Sequence, residues 1–420
     1  MPPKPPTRSV TPLDPPDATK GAVFVRKTEL QGVVTATVTP FSSFDAFLAD
    51  IGAAFNALGV PTRTLLHASD YPNPALMQAL VLQLKTGGMR GFVFNCNAKD
   101  ELLLGRDALG RPLTIHDAWK IPLLALVVDH PAVQFEALKR APEHAVIGLV
   151  DEGHLAFFDR AGLRPRARVF CPHGGPEPLA EQREARDRSI DLLFVGGVVD
   201  PGPSAPWLDR VAGSDRRRRA ALTAAFEAVY DGGIEVYQAI AGAFESRGLD
   251  AAPAAVAGLV AAVDERATEV RRLEVLRAMT DRRVVILGAA PIPALAHHDM
   301  RGPSLFPQSL RAMADARILI NSRWTYGRGA HERLFYGLSR GAVGATEASS
   351  FLAEDLDRGL GMVALPKDPS RINDLLAGLC EDPDRIDALR VRGLAEYPAR
   401  HTWRERMTRM LGALAGLPWP

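Results

Sequence analysis

The segment Ala316–Glu347, ARILINSRWTYGRGAHERLFYGLSRGAVGATE, restricts the possible folds more than any other part of the chain. Ile318 to Ile320 is an apolar, β-branched run of the kind that fills a buried parallel strand. A loop with Gly327, Arg328, Gly329 and His331 follows, then a helix from about Glu332 to Arg340 with Leu334, Phe335 and Leu338 on one face. Gly341 ends that helix as a C′ glycine, and Ala342 to Ala345 starts another strand. Strand, glycine loop, helix N-terminus and strand make a ready anion site, because first-turn N–H groups point at a phosphate and glycine lets it come close. Glu332, in the first helical turn, is well placed to accept hydrogen bonds from sugar hydroxyls. A glycine loop also occurs for purely structural reasons, so this segment alone leaves both readings open.

The same alternation runs through the rest of the chain. Val33 to Val38 reads as a strand. Ser42, with Asp45 three residues on, starts a helix striped by Phe44, Phe47, Leu48, Ile51 and Phe55. A strand at Thr64 to His67, a helix at Pro74 to Leu84 and strands at Gly91 to Phe94, Leu123 to Val128 and Ala145 to Leu149 follow. One more strand ends in Val169 to Gly175, VFCPHGG. Strands separated by helices predict a parallel sheet covered on both faces, with functional side chains at the strands' carboxyl ends. Three such ends carry polar residues: Asn95-Cys96-Asn97, Asp129-His130-Pro131 and Pro172-His173-Gly174-Gly175. A histidine beside an aspartate is a candidate general base near pH 7, although either residue also serves to cap the next helix.

The charged stretch 176–188 suits a linker, after which Ile190 to Val195 begins a second sheet and ends in Gly196-Gly197. Residues 205–277 break the alternation and read as a helical insertion, with Arg216 to Arg219 on a solvated face. Strands resume at Arg283 to Leu287 and Met362 to Leu365, and helices from Pro369 onward include His401-Thr402-Trp403. The expected fold is α/β: a proline-rich disordered tail (1–24), then two Rossmann-like doubly wound domains, 25–187 and 188–420, the second carrying the insertion. A cleft between two such lobes is a usual place for a small-molecule site.

Composition narrows the function classes. A formal net charge of +1 over 420 residues gives no whole-chain attraction to nucleic acid or membranes. Three scattered cysteines argue against a disulfide framework and a zinc site. No apolar run approaches the ~18–20 residues of a membrane span, and residues 1–30 lack the core of a signal peptide, so a cytoplasmic setting is expected. Asp355–Asp357 and Asp382–Asp384 do not follow strands, and no metal is expected. His297-His298-Asp299 is better read as a donor contact than as a metal cluster. Tyr326 either stacks on a base or fills the cleft wall, and Trp403 reads as packing.

In combination, Asp191–Gly197 (DLLFVGG), the ILINSRW…GRGAHERLFYGLSRGAV stretch and the terminal HTW resemble the CgeB-like glycosyltransferases, relatives of the GT-B enzymes that use nucleotide sugars. The resemblance covers most of 188–415 in motif order, but only strand–helix order over 25–175. It implies a donor held by the second domain and an acceptor held by the first. Glu332 matches the family's ribose-binding glutamate, the backbone of Gly327 to Ala330 would approach the diphosphate, and Arg323, Arg328 and Arg333 are candidates to neutralise it. Gly196, Gly197, Asn321, Tyr326 and His331 complete the implied donor set. Asn95 and His173 stand on the acceptor side, and Asp129 and His130 are the base candidates. The co-substrate would be a UDP-, GDP- or TDP-linked sugar with no other cofactor and no metal, since arginines and helix dipoles also stabilise a diphosphate leaving group. The acceptor would be a surface glycan, a lipid-linked glycan or a protein.

One departure stands out. Retaining members carry a second glutamate eight residues before the first, where this chain has Trp324. That leaves open a non-catalytic nucleotide-sugar or glycan-binding descendant beside the enzyme. A nucleotide-sugar epimerase would need flanking acids, and the sequence offers no convincing pair. Transfer to nucleic acid would use Arg216 to Arg219 with Arg400, Arg404, Arg406 and Arg409; the near-zero net charge weighs against it without excluding it.

Overall fold

The computed structural model describes residues 30–37, 44–67, 90–98, 103–106, 108–110 and 112–416. The expected tail 1–24, the cap at Ser42 and the helix Pro74–Leu84 lie outside them.

Two parallel sheets organise the described chain. The first contains β1 (Leu30–Thr37), β2 (Thr62–His67), β3 (Arg90–Cys96), then, past a small antiparallel pair β4 (Leu103–Arg106) and β5 (Pro112–Thr114), β6 (Leu123–Val127), β7 (Val146–Leu149) and β8 (Ala167–Phe170). Their spatial order is β2-β1-β3-β6-β7-β8. The second contains β9 (Ile190–Val195), β10 (Val284–Leu287), β11 (Asp299–Met300), β12 (Ala316–Asn321), β13 (Val343–Thr346) and β14 (Met362–Ala364), in the order β11-β10-β9-β12-β13-β14. These are the two Rossmann-like doubly wound lobes expected of a GT-B chain. In the second, the order reverses between β9 and β12, and the carboxyl ends of strands at such a switch point are where doubly wound folds leave a crevice for ligands.

Strand pleating explains how each sheet is buried on both faces. In β6, Leu123, Ala125 and Val127 join one core while Leu124 and Leu126 join another. The first of these cores is completed from far along the chain. Helices Ser204–Ala212, Arg216–Tyr230, Val236–Glu245 and Pro253–Ala278 form the inserted segment, and Leu222, Ile240, Phe244 and Val260 pack with Val93, Ile147 and Phe157 of the first lobe. The insertion thus belongs to the second lobe by chain order and to the first by packing. Its longest helix, Pro253–Ala278, contributes Val256 to Ala267 to that core and Leu273 to Leu276 to the core of the second sheet. The first sheet's other face is covered by the helix Phe44–Ala57 and by the terminal helix Trp403–Ala415, through Phe55, Trp403, Met407 and Met410.

The arginine run behaves as expected of a solvated face, with Arg216 and Arg217 exposed and Arg219 paired with Asp209. Arg406 differs: it is fully buried, and its guanidinium donates to the carbonyls of His173 at 3.1 Å and Arg400 at 2.8 Å. It is a strut of the terminal helix, unavailable as a grip on nucleic acid. Among the described residues no helix is long and apolar enough to cross a membrane.

Candidate functional site

The carboxyl ends of both sheets meet across the cleft at a cavity of about 170 Å³. Its polar wall is Asp129, past β6, and His173, past β8, facing Arg323, His331 and Glu332 from the second lobe; Phe47, Val128 and Tyr326 supply the rest. The terminal helix holds His173 in place. Arg406 grips its carbonyl, and the chain at Gly175 pairs with Thr402, with Gly175 N–H on His401 O at 2.9 Å and Trp403 N–H on Gly175 O at 2.8 Å. Trp403 is a packing residue, as expected, edge-on to Phe47 with ring centroids 4.6 Å apart.

His173 is 2% exposed, with its ring beside the Val128 backbone and Glu332. Its Nε2 stands 3.7 Å from Glu332 Oε2, too far for a hydrogen bond. Burial holds its pKa below the ordinary value, against the pull of Glu332 and Asp129. Asp129 is fixed by the side-chain amides of Asn97 at 3.1 Å and Gln134 at 3.3 Å, both on Oδ2.

Glu332 opens the helix Glu332–Ser339. His331 caps the helix, its Nδ1 accepting the Arg333 N–H at 3.3 Å and lying 2.9 Å from Glu332 Oε2. Burial pushes His331 down to about 3, leaving the ring neutral at pH 7. Burial would raise the Glu332 carboxyl, but His331, His173 and Arg333 outweigh it and hold the group well below the usual carboxylate range. Glu332 is therefore an ionised acceptor at the mouth of a helix.

Beside it, positive charge gathers at the switch point. Arg333 sends its guanidinium under Gly196, the residue after β9, whose φ of +145° is a conformation that favours glycine. Among the described residues, Arg333 Nη1 and Arg323 Nε are buried without partners. Arg272, from the long helix, donates to Gly197 O at 3.0 Å and Ser322 O at 3.2 Å, bridging the ends of β9 and β12. Burial, together with Arg333 and Arg323, pushes Arg272 down to about 9; burial and Arg323 push Arg333 down to about 10. Both stay protonated at pH 7, crowded by like charge. Arg323 is offset by Asp264 at 2.8 Å. The carboxylates beside these three guanidiniums are Asp264, Glu332 and, across the cavity, Asp129, so cations and carboxylates stand side by side at the cavity's head.

Several expected site residues stand elsewhere. His130 accepts the Ala132 N–H at Nδ1 (3.1 Å) and meets Glu235 at Nε2 (2.8 Å). Both nitrogens are engaged and the ring packs on His154 and Phe157, so it is not free to act as a base in this cavity. Asn95 is fully buried away from the cavity. Asn321 donates to Thr346 Oγ1 at 2.9 Å, tying β12 to β13. Gly329 lies against the Val150 carbonyl and pairs with Asp151, whose Oδ2 accepts the Arg328 N–H at 2.8 Å. The glycine loop therefore closes on the first lobe, so its backbone faces Val150 and Asp151. Gly327 and Arg328 line a different cavity. Tyr326 serves as wall: its hydroxyl donates to Val128 O at 2.7 Å across the cleft. His297 and His298 pin the β10–β11 loop to the carbonyls of Met279 and Leu276 at 2.9 and 2.8 Å, which leaves them no donor contact. Asp355 pairs with Arg400, Asp382 caps a helix and Asp384 pairs with Arg186.

No protein-family model matches the chain, and no curated protein matches it. Solved structures do. Sucrose-phosphate synthase from Thermosynechococcus elongatus is 10% identical, covering 91% of this chain and 98% of its own, with a TM-score of 0.48. Anabaena HepE in complex with UDP and glucose is 9% identical over 92% of this chain and 100% of its own, TM-score 0.48. An α-glucosyltransferase in complex with UDP and DNA containing an HMU base is 10% identical over 91% and 99%, TM-score 0.48.

Proposed function

We propose that the chain is a glycosyltransferase that moves a sugar from a nucleoside-diphosphate donor to a hydroxyl acceptor. The observation that carries this reading is the pairing, at one switch point, of a crowded arginine trio with an ionised carboxylate at a helix N-terminus, opposite an aspartate from the other lobe. Arg272, Arg323 and Arg333 take the diphosphate, whose charge grows as the sugar leaves. They stabilise that leaving group without a divalent ion, because preorganised guanidiniums act where the negative charge develops. Glu332 accepts hydrogen bonds from the donor's ribose hydroxyls. Asp129 takes the proton of the acceptor hydroxyl as that oxygen attacks the anomeric carbon and the bond to the diphosphate breaks. His173 offers a ring nitrogen to the bound sugar. Within this class the motifs Asp191–Gly197 and Ala316–Glu347 favour the CgeB-like enzymes. Trp324 cannot replace the missing glutamate: its indole NH donates to Tyr230 O at 3.0 Å, and it does not line the cavity.

A thermal-shift panel of UDP, GDP, TDP and their sugar conjugates, with and without EDTA, tests this reading. A ligand that binds the native state alone raises the melting temperature. One base should give a shift that EDTA leaves unchanged. Glu332→Ala should weaken that ligand by about 1–3 kcal/mol, while Asp129→Asn keeps the shift and loses turnover. No shift with any nucleotide would sink the donor site; full turnover in Asp129→Asn would remove the base.

A further inference from the structure

Behind the cavity just described lies a larger one, of about 530 Å³. That is well within the range of small-molecule sites. The loop 323–328 is a wall between the two: Arg323 and Tyr326 line the smaller cavity, and Trp324, Thr325, Gly327 and Arg328 the larger. The inserted helices close the far side through Val229, Ile234, Glu235 and Gln238.

The lining has a definite chemistry. Trp324 offers an indole, Val229, Ile234 and Leu365 an apolar strip, and Thr325, Ser349 and Ser350 hydroxyls. Among the described residues the buried Thr325 hydroxyl has no partner. Three carboxylates are held rigidly from behind. Asp151 accepts the Gly153 N–H at 2.7 Å, Glu235 the Gln238 N–H at 2.9 Å, and Glu347 the buried Arg271 at 3.0 Å. Each keeps acceptor capacity for a further donor. Arg328 and Lys367 line the same cavity and Arg271 pairs with Glu347 from behind, so the charges balance and the lining suits a neutral ligand. A neutral ring with hydroxyls at its edge and C–H groups on its face matches every part: diols to the carboxylates, the apolar face to indole and aliphatic carbon.

We propose that this cavity binds a neutral saccharide unit and is the subsite for a distal sugar of the acceptor glycan. Saccharide binding stands on the cavity alone; only its role as an acceptor subsite rests on the proposed transfer. Saturation-transfer NMR on the full chain, with methyl glycosides of glucose, galactose, mannose and N-acetylglucosamine as probes, tests it. At least one should bind, unaffected by saturating UDP. Trp324→Ala should weaken it by about tenfold or more. Ile234→Trp, at a position 46% exposed, should block the cavity without disturbing the core. The proposal is overturned if none of the glycosides binds, if UDP displaces the bound one, or if binding survives in Ile234→Trp. A nucleotide shift on the same protein, read separately, tells failure of this site from failure of the donor site.

Discussion

His116, His154, His173, His298, His331 and His401 all have pKa values held below the ordinary 6.5, in each case with burial as the largest cause. The unfolded chain binds protons at these rings that the native chain refuses. Their contribution to stability is therefore complete above about pH 6.5 and is lost as pH falls below it. Asp50, Asp151 and Glu347, raised by burial, act with the opposite sign, but nearer the ordinary carboxylate range. Between pH 7.5 and 5.5 the histidines govern. The melting temperature should fall over that interval, and a flat or rising profile would contradict the burial of these rings. Within this set His173 lines the cavity, so a ligand there should reduce the acid sensitivity it contributes.

The loop that follows β12 shows how much of an element its sequence discloses. Gly329 sits where a Cβ would run into the Val150 carbonyl, whereas a Cβ at Gly327 would meet nothing within 4 Å. Neither has a positive φ among the described residues, so the added methyl alone decides the outcome. Gly329→Ala should cost about 1–3 kcal/mol in denaturant unfolding, as an overpacked contact does. Gly327→Ala should change stability by less than about 1 kcal/mol. Equal effects would mean that the loop does not press on the first lobe. The strand and helix flanking this loop were legible because an apolar run and a helical stripe are local patterns. So was Glu332, fixed by its place in the first turn. The loop's partner was not legible, since glycine spacing reports close approach without saying to what. Arg272 was missed for a similar reason: within the 26-residue helix Pro253–Ala278 it is one arginine among several, and only the fold aims it at Gly197. Asp129 and His130 are adjacent in sequence, yet past the end of β6 one side chain turns to the cavity and the other to Glu235.

At the scale of the molecule, the first lobe is not self-sufficient. One face of its sheet is covered by the inserted helices and the other partly by the terminal helix Trp403–Ala415. Residues 25–187 expressed alone should lack a cooperative melt and should bind a hydrophobic dye, as exposed sheet faces do. A sharp two-state melt would show that these coverings are dispensable. The long helix Pro253–Ala278 extends the point. Its 26 residues make a rod about 39 Å long, rooted at one end in the first core and at the other in the second. A rod fixed in two bodies transmits torque between them. The cleft cannot swing open like a door on a slack hinge: either the rod flexes or one of its roots pulls free.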